Sequence, residues 1–139
     1  MVCTSRRRIS RWRMSYIYYN PNLKRKHEID CPIRAISKLE NATWHQIYWD
    51  ICEQGAIEWA TPNSDIVWSR YLQRLGYKRH SFIDTCPDCY TVRDFCIDHP
   101  YGRYLLKLNE HVVAVVNGDY YDSWDSGDET VIYYYTKEA

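Results

Sequence analysis

Among the six cysteines of the 139-residue chain, Cys31 stands where a thiol can act as a nucleophile. Pro32 follows it, and Ile33, Ile36 and Leu39 then recur at helical spacing, which places Cys31 at a helix N-terminus. There the helix dipole and unpaired backbone N–H groups favour thiolate over thiol. The competing reading is a small buried residue at a helix start. His111 opens the run HVVAVV, a polar ring at the head of an apolar strand, and that placement suits a general base. Asn117-Gly118 signals a two-residue hairpin turn, which sets Val116 opposite Asp119, Val113 opposite Asp122 and His111 opposite Trp124. Asp122 then shares the His111 face at a diagonal reach of roughly 7–8 Å, whereas the alternative acid, Asp125, falls on the other face unless a bulge intervenes. Cys31, His111 and Asp122 are therefore the candidate nucleophile, base and orienting acid, with Trp124 placed to shield the His–Asp pair. Arg34, three residues after Cys31, reads as the ion-pair partner of an acid on the helix rather than a substrate contact.

The remaining cysteines offer a rival chemistry. Cys86, Cys89, Cys96 and His99 spell C-x2-C-x6-C-x2-H, four ligands of the types that tetrahedral zinc takes. Against a metal, Cys96 and His99 fall three apart on a predicted short helix, and Phe95 and Cys96 suit a core. The Cys86-Pro-Asp-Cys89 dithiol also resembles a redox pair, but the surrounding βαβ pattern of such motifs is missing. Loose thiols in a turn, with no cofactor, are the expectation.

The elements that must position these groups follow from periodicity. Thr43-Trp-His-Gln46 is a capping-box pattern opening a second helix with Trp44, Ile47, Tyr48 and Ile51 inward, which Gly55 is expected to stop. A third helix is predicted from Ser64 or Asp65 to Gly76, and a short fourth from Thr91 to His99-Pro100. Residues 16–19 and 77–83 read as β segments. Arg103 to Leu108, His111 to Val116, Asp119 to Asp125 and Val131 to Thr136 are further strands, rich in Val, Ile and Tyr. Helices first and a β meander last predict one α+β domain over residues 14–139.

Lys plus Arg and Asp plus Glu both count 18, so a uniformly basic nucleic-acid binder is excluded. The balance hides an asymmetry, because Arg6, Arg7, Arg8, Arg11 and Arg13 put +5 on residues 1–13 and leave −5 on the rest. That arm reads as a disordered tail, with RNA or lipid contact as the weaker alternative, and Met14 is an alternative start to Met1. The longest apolar run, Val112 to Val116, is far short of the about 20 residues that span a bilayer, and the arginine-rich N-terminus lacks the apolar stretch of a signal peptide. No membrane partner and a cytoplasmic location are expected. The 14 Tyr and 6 Trp read first as half-exposed β residues and only secondarily as a stacking surface.

The order of these features resembles a family. A helix-terminal Cys, three helices, a His heading a strand and an acid on the next strand is the layout of papain-like cysteine hydrolases. More closely, Asp30-Cys31-Pro-Ile-Arg34-Ala35-Ile36, Thr91-Val-Arg-Asp-Phe95, Gly102-Arg-Tyr-Leu-Leu, His111 to Gly118 and Tyr121-Asp122-Ser-Trp-Asp125 resemble small proteins of bacteriophages and gut bacteria sharing that layout. The resemblance covers roughly residues 16–135. It implies a papain-like fold, a Cys31/His111/Asp122 triad, a protein or peptide substrate and the cytoplasm of a bacterial host cell. Papain-type enzymes place a glutamine shortly before the nucleophile to donate to the oxyanion, and no Gln stands in Leu23 to Asp30. Asn20, Asn22 or His27 is left to donate beside the Cys31 N–H. The alternative is a non-catalytic relative that binds or inhibits a host factor through its Tyr-rich surface.

Overall fold

Proline in a first turn and apolar residues at helical spacing start the first helix at the expected residue. The computed structural model describes residues 14–82 and 90–137; the expectations for the basic arm at 1–13 and for Cys86 and Cys89 fall outside them. Helix α1 (Cys31–Glu40) buries Ile33, Ile36 and Leu39, each worth roughly 1.5–3 kcal/mol when fully covered. Asn41, with φ 54°, ends it in the left-handed conformation. Helix α2 (Trp44–Glu58) opens with the full capping box, in which the Thr43 hydroxyl accepts from the Gln46 N–H and the Gln46 side chain accepts from the Thr43 N–H. Helix α3 spans Asp65–Arg74. The short α4 (Val92–Asp98) is capped reciprocally by Thr91 and Asp94.

Gly55 does not stop α2, contrary to expectation. The helix runs on to Glu58, and Trp59 at φ 56° caps it. The chain then folds back over Gly55: Ala60 donates its N–H to the Gly55 carbonyl at 3.0 Å, and a Cβ on Gly55 would stand 2.8 Å from the Ala60 oxygen. Close backbone approach, not helix termination, requires the glycine.

The strands β1 (Ser15–Tyr18), β2 (Lys78–Ser81), β3 (Arg103–Leu108), β4 (His111–Val116), β5 (Asp119–Asp122) and β6 (Tyr133–Thr136) form one sheet in the order β1-β5-β4-β3-β6-β2. Neighbours are antiparallel except β1 and β5, which run parallel. The domain is thus α+β with a mixed sheet rather than a simple meander. Val116 pairs with Asp119 and Val115 with Tyr120 across Asn117 and Gly118, both at positive φ, as the two-residue turn requires. Strands β5 and β6 are shorter than predicted, as is β2. β5 ends at Asp122 because the Asp122 and Asp125 carboxylates take the N–H groups of Ser123 and Gly127 and turn the chain. β6 begins only at Tyr133 because Val131 and Ile132 donate to Tyr90 and Lys107 instead.

Both faces of the sheet are covered. Ile33, Ile36, Ile47, Ile51, Trp68 and Leu72 from α1, α2 and α3 pack with Leu105, Val112 and Ala114 in one core cluster. Val92, Phe95 and Cys96 of α4 pack with Leu106, Val113, Val115 and Tyr120 in the other. That double burial is why HVVAVV is apolar at consecutive positions instead of alternating. Among the described residues no helix is long and apolar enough to cross a membrane.

Candidate active site

Cys31 is the first residue of α1, His111 the first of β4 and Asp122 the last of β5. By strand alternation His111 and Asp122 belong to the side of Val113, Val115 and Tyr120, yet both reach residues of α1, which packs on the opposite face. Each stands at a strand end, where the sheet no longer separates its two layers.

The three side chains meet there. His111 Nε2 lies 2.7 Å from Asp122 Oδ2, and the same ring lines one cleft with Cys31, near enough for the sulfur to strengthen its hold on a proton. Because Nε2 is taken by the carboxylate, Nδ1 is the nitrogen left for sulfur. Asp122 is 1% exposed and the His111 side chain 12%. Burial works against a charged ring, but the hydrogen bond to Asp122 and the attraction of Asp122 and Cys31 outweigh it, and the imidazole is raised to about 9. The indole of Trp124 packs against the ring.

Both oxygens of Asp122 are fully occupied. Oδ1 accepts from the Ser123 N–H at 2.8 Å and from Arg34 Nη2 at 3.1 Å. Oδ2 accepts from Ser126 Oγ at 2.7 Å as well as facing the histidine. The Asp122 backbone is held too, since Tyr19 N–H and Tyr16 Oη donate to its carbonyl at 2.8 and 3.1 Å. A carboxylate so bound has one orientation, which is what an orienting acid needs.

Arg34 and Ser126 were not foreseen as partners of Asp122. The Asp30 to Arg34 spacing of four residues is a legible helical pair, but the contact to Asp122 spans 88 residues and has no local signal. Ser126 lies in the turn that ends β5, where the expected strand would have carried it away from Asp122.

The N-terminus of α1 is left open by an unusual arrangement. Asp30 occupies the N-cap but makes no side-chain bond to the first turn. Its carboxylate turns instead to Arg34 and to Trp44 Nε1, the latter at 2.9 Å. As the first residue of α1, Cys31 has a backbone N–H with no acceptor inside the helix, and it can serve developing negative charge beside the sulfur. A cleft of about 270 Å³ opens at this point. Ile29 and Pro32 flank Cys31 on its rim, Asn63, Asp65 and Trp68 come from the start of α3, and Lys107, Glu110 and Val112 from the β3–β4 hairpin.

The three candidate oxyanion donors do not line this cleft. Asn20 Nδ2 donates to the Lys26 carbonyl, and Asn22 Oδ1 accepts from the Lys24 N–H, so both organise their own loop. His27 is exposed in that same segment. The one side-chain amide in the cleft is Asn63, whose Nδ2 donates to the Ile29 carbonyl at 2.8 Å and fixes the chain entering Cys31. The alternative acid, Asp125, is engaged elsewhere, with Arg93, Tyr120 Oη and the Gly127 N–H.

Of the proposed zinc ligands, Cys96 is 1% exposed in the α4 core cluster, and burial pushes its thiol far up, opposite to what metal binding needs. His99 stacks on Phe95 at 3.8 Å, and its Nδ1 contacts the Phe95 carbonyl. Among the described residues no group of three or more His, Cys, Asp or Glu side chains is arranged to hold a metal.

The chain matches no protein-family model, no curated protein and no solved structure.

Proposed function

We propose that the protein is a cysteine hydrolase with a papain-like fold, cleaving a peptide, isopeptide or related acyl bond with Cys31 as nucleophile. The observation that carries this reading is one imidazole, His111, that shares a cleft with a helix-terminal cysteine and is hydrogen-bonded, at 2.7 Å, to a buried carboxylate. His111 takes up the proton of the Cys31 thiol as the sulfur becomes the nucleophile. Sulfur attacks the acyl carbon, the carbonyl oxygen gains the negative charge, and the Cys31 N–H donates to it. His111 passes its proton to the leaving group as the thioester forms. It then takes a proton from the water that hydrolyses the thioester, and Cys31 leaves. Asp122 holds the ring with Nδ1 toward the reaction throughout. In this reading the substrate is a protein of a bacterial host cell, entering along the cleft between Ile29 and Glu110.

A second reading, a binding protein on the same fold without turnover, draws on one observation: none of Asn20, Asn22 and His27 lines the cleft, so the Cys31 N–H has no side-chain donor among those three to assist it. Thiol reactivity separates the two. For the hydrolase, iodoacetamide at pH 6 to 7 alkylates Cys31 much faster than half-buried Cys52, and p-nitrophenyl acetate is turned over by the native protein but not by Cys31→Ala. Equal labelling of the two cysteines with no turnover would transfer the conclusion to the binding protein.

A further inference from the structure

A buried guanidinium stands behind the His111–Asp122 pair. Arg34 is 6% exposed, and its terminal nitrogens go to two different acids, Nη1 to Asp30 Oδ1 at 2.5 Å and Nη2 to Asp122 Oδ1 at 3.1 Å. Asp30 and Asp122 are 3% and 1% exposed, so all three charges are out of water. Charges removed from water are costly unless they are compensated and hydrogen-bonded. Two carboxylates around one guanidinium leave a single negative charge, and the group placed to balance it is His111.

Other charges near the ring do not supply that balance. Lys107 of β3 and Asp65 of α3 face each other across the cleft at 3.6 Å and compensate one another. Glu110, next to His111, is exposed, and Tyr16 of β1 donates its hydroxyl to the Asp122 backbone without a charge. Cys31 adds negative charge only as its thiolate. Arg34 is therefore the cation that shares Asp122 with the histidine.

We propose that Arg34 is a positioning residue that, through Asp122, limits how tightly His111 holds its proton, and that braces the turn carrying Cys31 against the strand end carrying the acid; this rests on the Cys31/His111/Asp122 reading above. The geometry gives the brace both ends: Asp30 immediately precedes the nucleophile, and Asp122 terminates β5. Guanidinium is suited to this because its planar fork reaches two carboxylates at once, which an ammonium on a flexible stem cannot do. Without Arg34, Asp122 turns its whole charge on the ring, the imidazolium is favoured further, and His111 gives its proton to the leaving group less readily.

The test is the titration of the His111 ring, followed by its Cε1–H resonance in native protein, in Arg34→Lys and in the charge-balanced pair Asp30→Asn with Arg34→Gln. In the paired variant the His111 midpoint is expected to rise by about one unit, the size of effect that a nearby charge exerts. In Arg34→Lys it is expected to fall between the native and paired values, and this variant decides alone if the paired one does not fold. A midpoint within about 0.2 unit of native in a folded variant would overturn the role, because a merely structural arginine would not move it. Preferential alkylation of native Cys31 with an unmoved midpoint removes the Arg34 proposal alone. A shifted midpoint without preferential alkylation removes the hydrolase and leaves the hold of Arg34 on His111 in place.

Discussion

The indole of Trp124 lies 4.9 Å from the imidazole of His111, with the two planes tilted by 39°. Trp124 is itself 45% exposed, so it faces water on one side and the His111 ring on the other. A hydrogen bond in a drier setting is electrostatically stronger, and the indole keeps water from competing for the His111–Asp122 contact. Trp124→Ala should therefore slow alkylation of Cys31 at pH 7 by up to about tenfold, equivalent to ~1.4 kcal/mol. The melting temperature should change little, since a half-exposed ring contributes modestly to stability. An unchanged rate would mean that the indole does not shield the pair.

Asp122→Asn and Asp125→Asn should separate sharply. An amide at 122 no longer fixes the ring tautomer and leaves Arg34 with one acid in place of two. Cys31 reactivity should drop by about 100-fold or more, and the fold should lose about 3 kcal/mol from the disturbed buried charges. Asp125 is exposed and bound to Arg93 and Tyr120 rather than to His111, so its variant should label Cys31 at a near-native rate. Rate and urea midpoint, measured on both proteins, give the ranking; a slower Asp125→Asn would reassign the orienting acid.

Stability should decline with rising pH over a window that His111 sets. The ring is raised from its ordinary 6.5 to about 9 in the folded chain, so the folded state binds the proton more tightly than the unfolded one. The resulting stabilisation is fully present below pH 6.5 and is lost as pH rises through about 9. Its size is on the order of 3 kcal/mol, from the free energy of each pKa unit. Urea titrations between pH 6 and 9.5 should show the decline in the native protein, and a smaller one in Cys31→Ser, which lacks the share of the shift that Cys31 supplies. Absence of the decline in His111→Gln would confirm the source, and an equal decline there would locate it elsewhere.

Gly55→Ala supplies a test of the fold that runs against propensity. Within a helix, alanine is ordinarily favoured over glycine by about 1 kcal/mol. Here the added Cβ would meet the Ala60 carbonyl oxygen at 2.8 Å, and that oxygen belongs to backbone that cannot step aside cheaply. The substitution should destabilise by roughly 1–3 kcal/mol. A neutral or stabilising result in urea unfolding would show that the segment after Trp59 yields.

Several features were legible because their cause is local. Pro32 and the Ile33, Ile36, Leu39 spacing set the start of α1, and Thr43 with Gln46 set that of α2, through hydrogen bonds that close within four residues. Asn117-Gly118 dictated the hairpin register, and strand alternation then placed Asp122 on the His111 face, while Asp125 lies beyond the end of β5 where alternation does not apply. The same logic misjudged Gly55, because the reason for a glycine there is the returning chain at Ala60, which helix propensity does not contain.

Tertiary structure alone decided the rest. That β1 pairs in parallel with β5, and that β2 lies on the opposite edge beside β6, rests on backbone pairing between segments far apart in the chain. The sequence by itself determined the candidates Cys31, His111 and Asp122 and the local elements that carry them. It did not determine that their strand and helix ends would converge, or that Arg34 would bridge to Asp122 across 88 residues. Contacts between distant segments are selected by burial and charge compensation in the packed whole, and neither leaves a periodic trace along the chain.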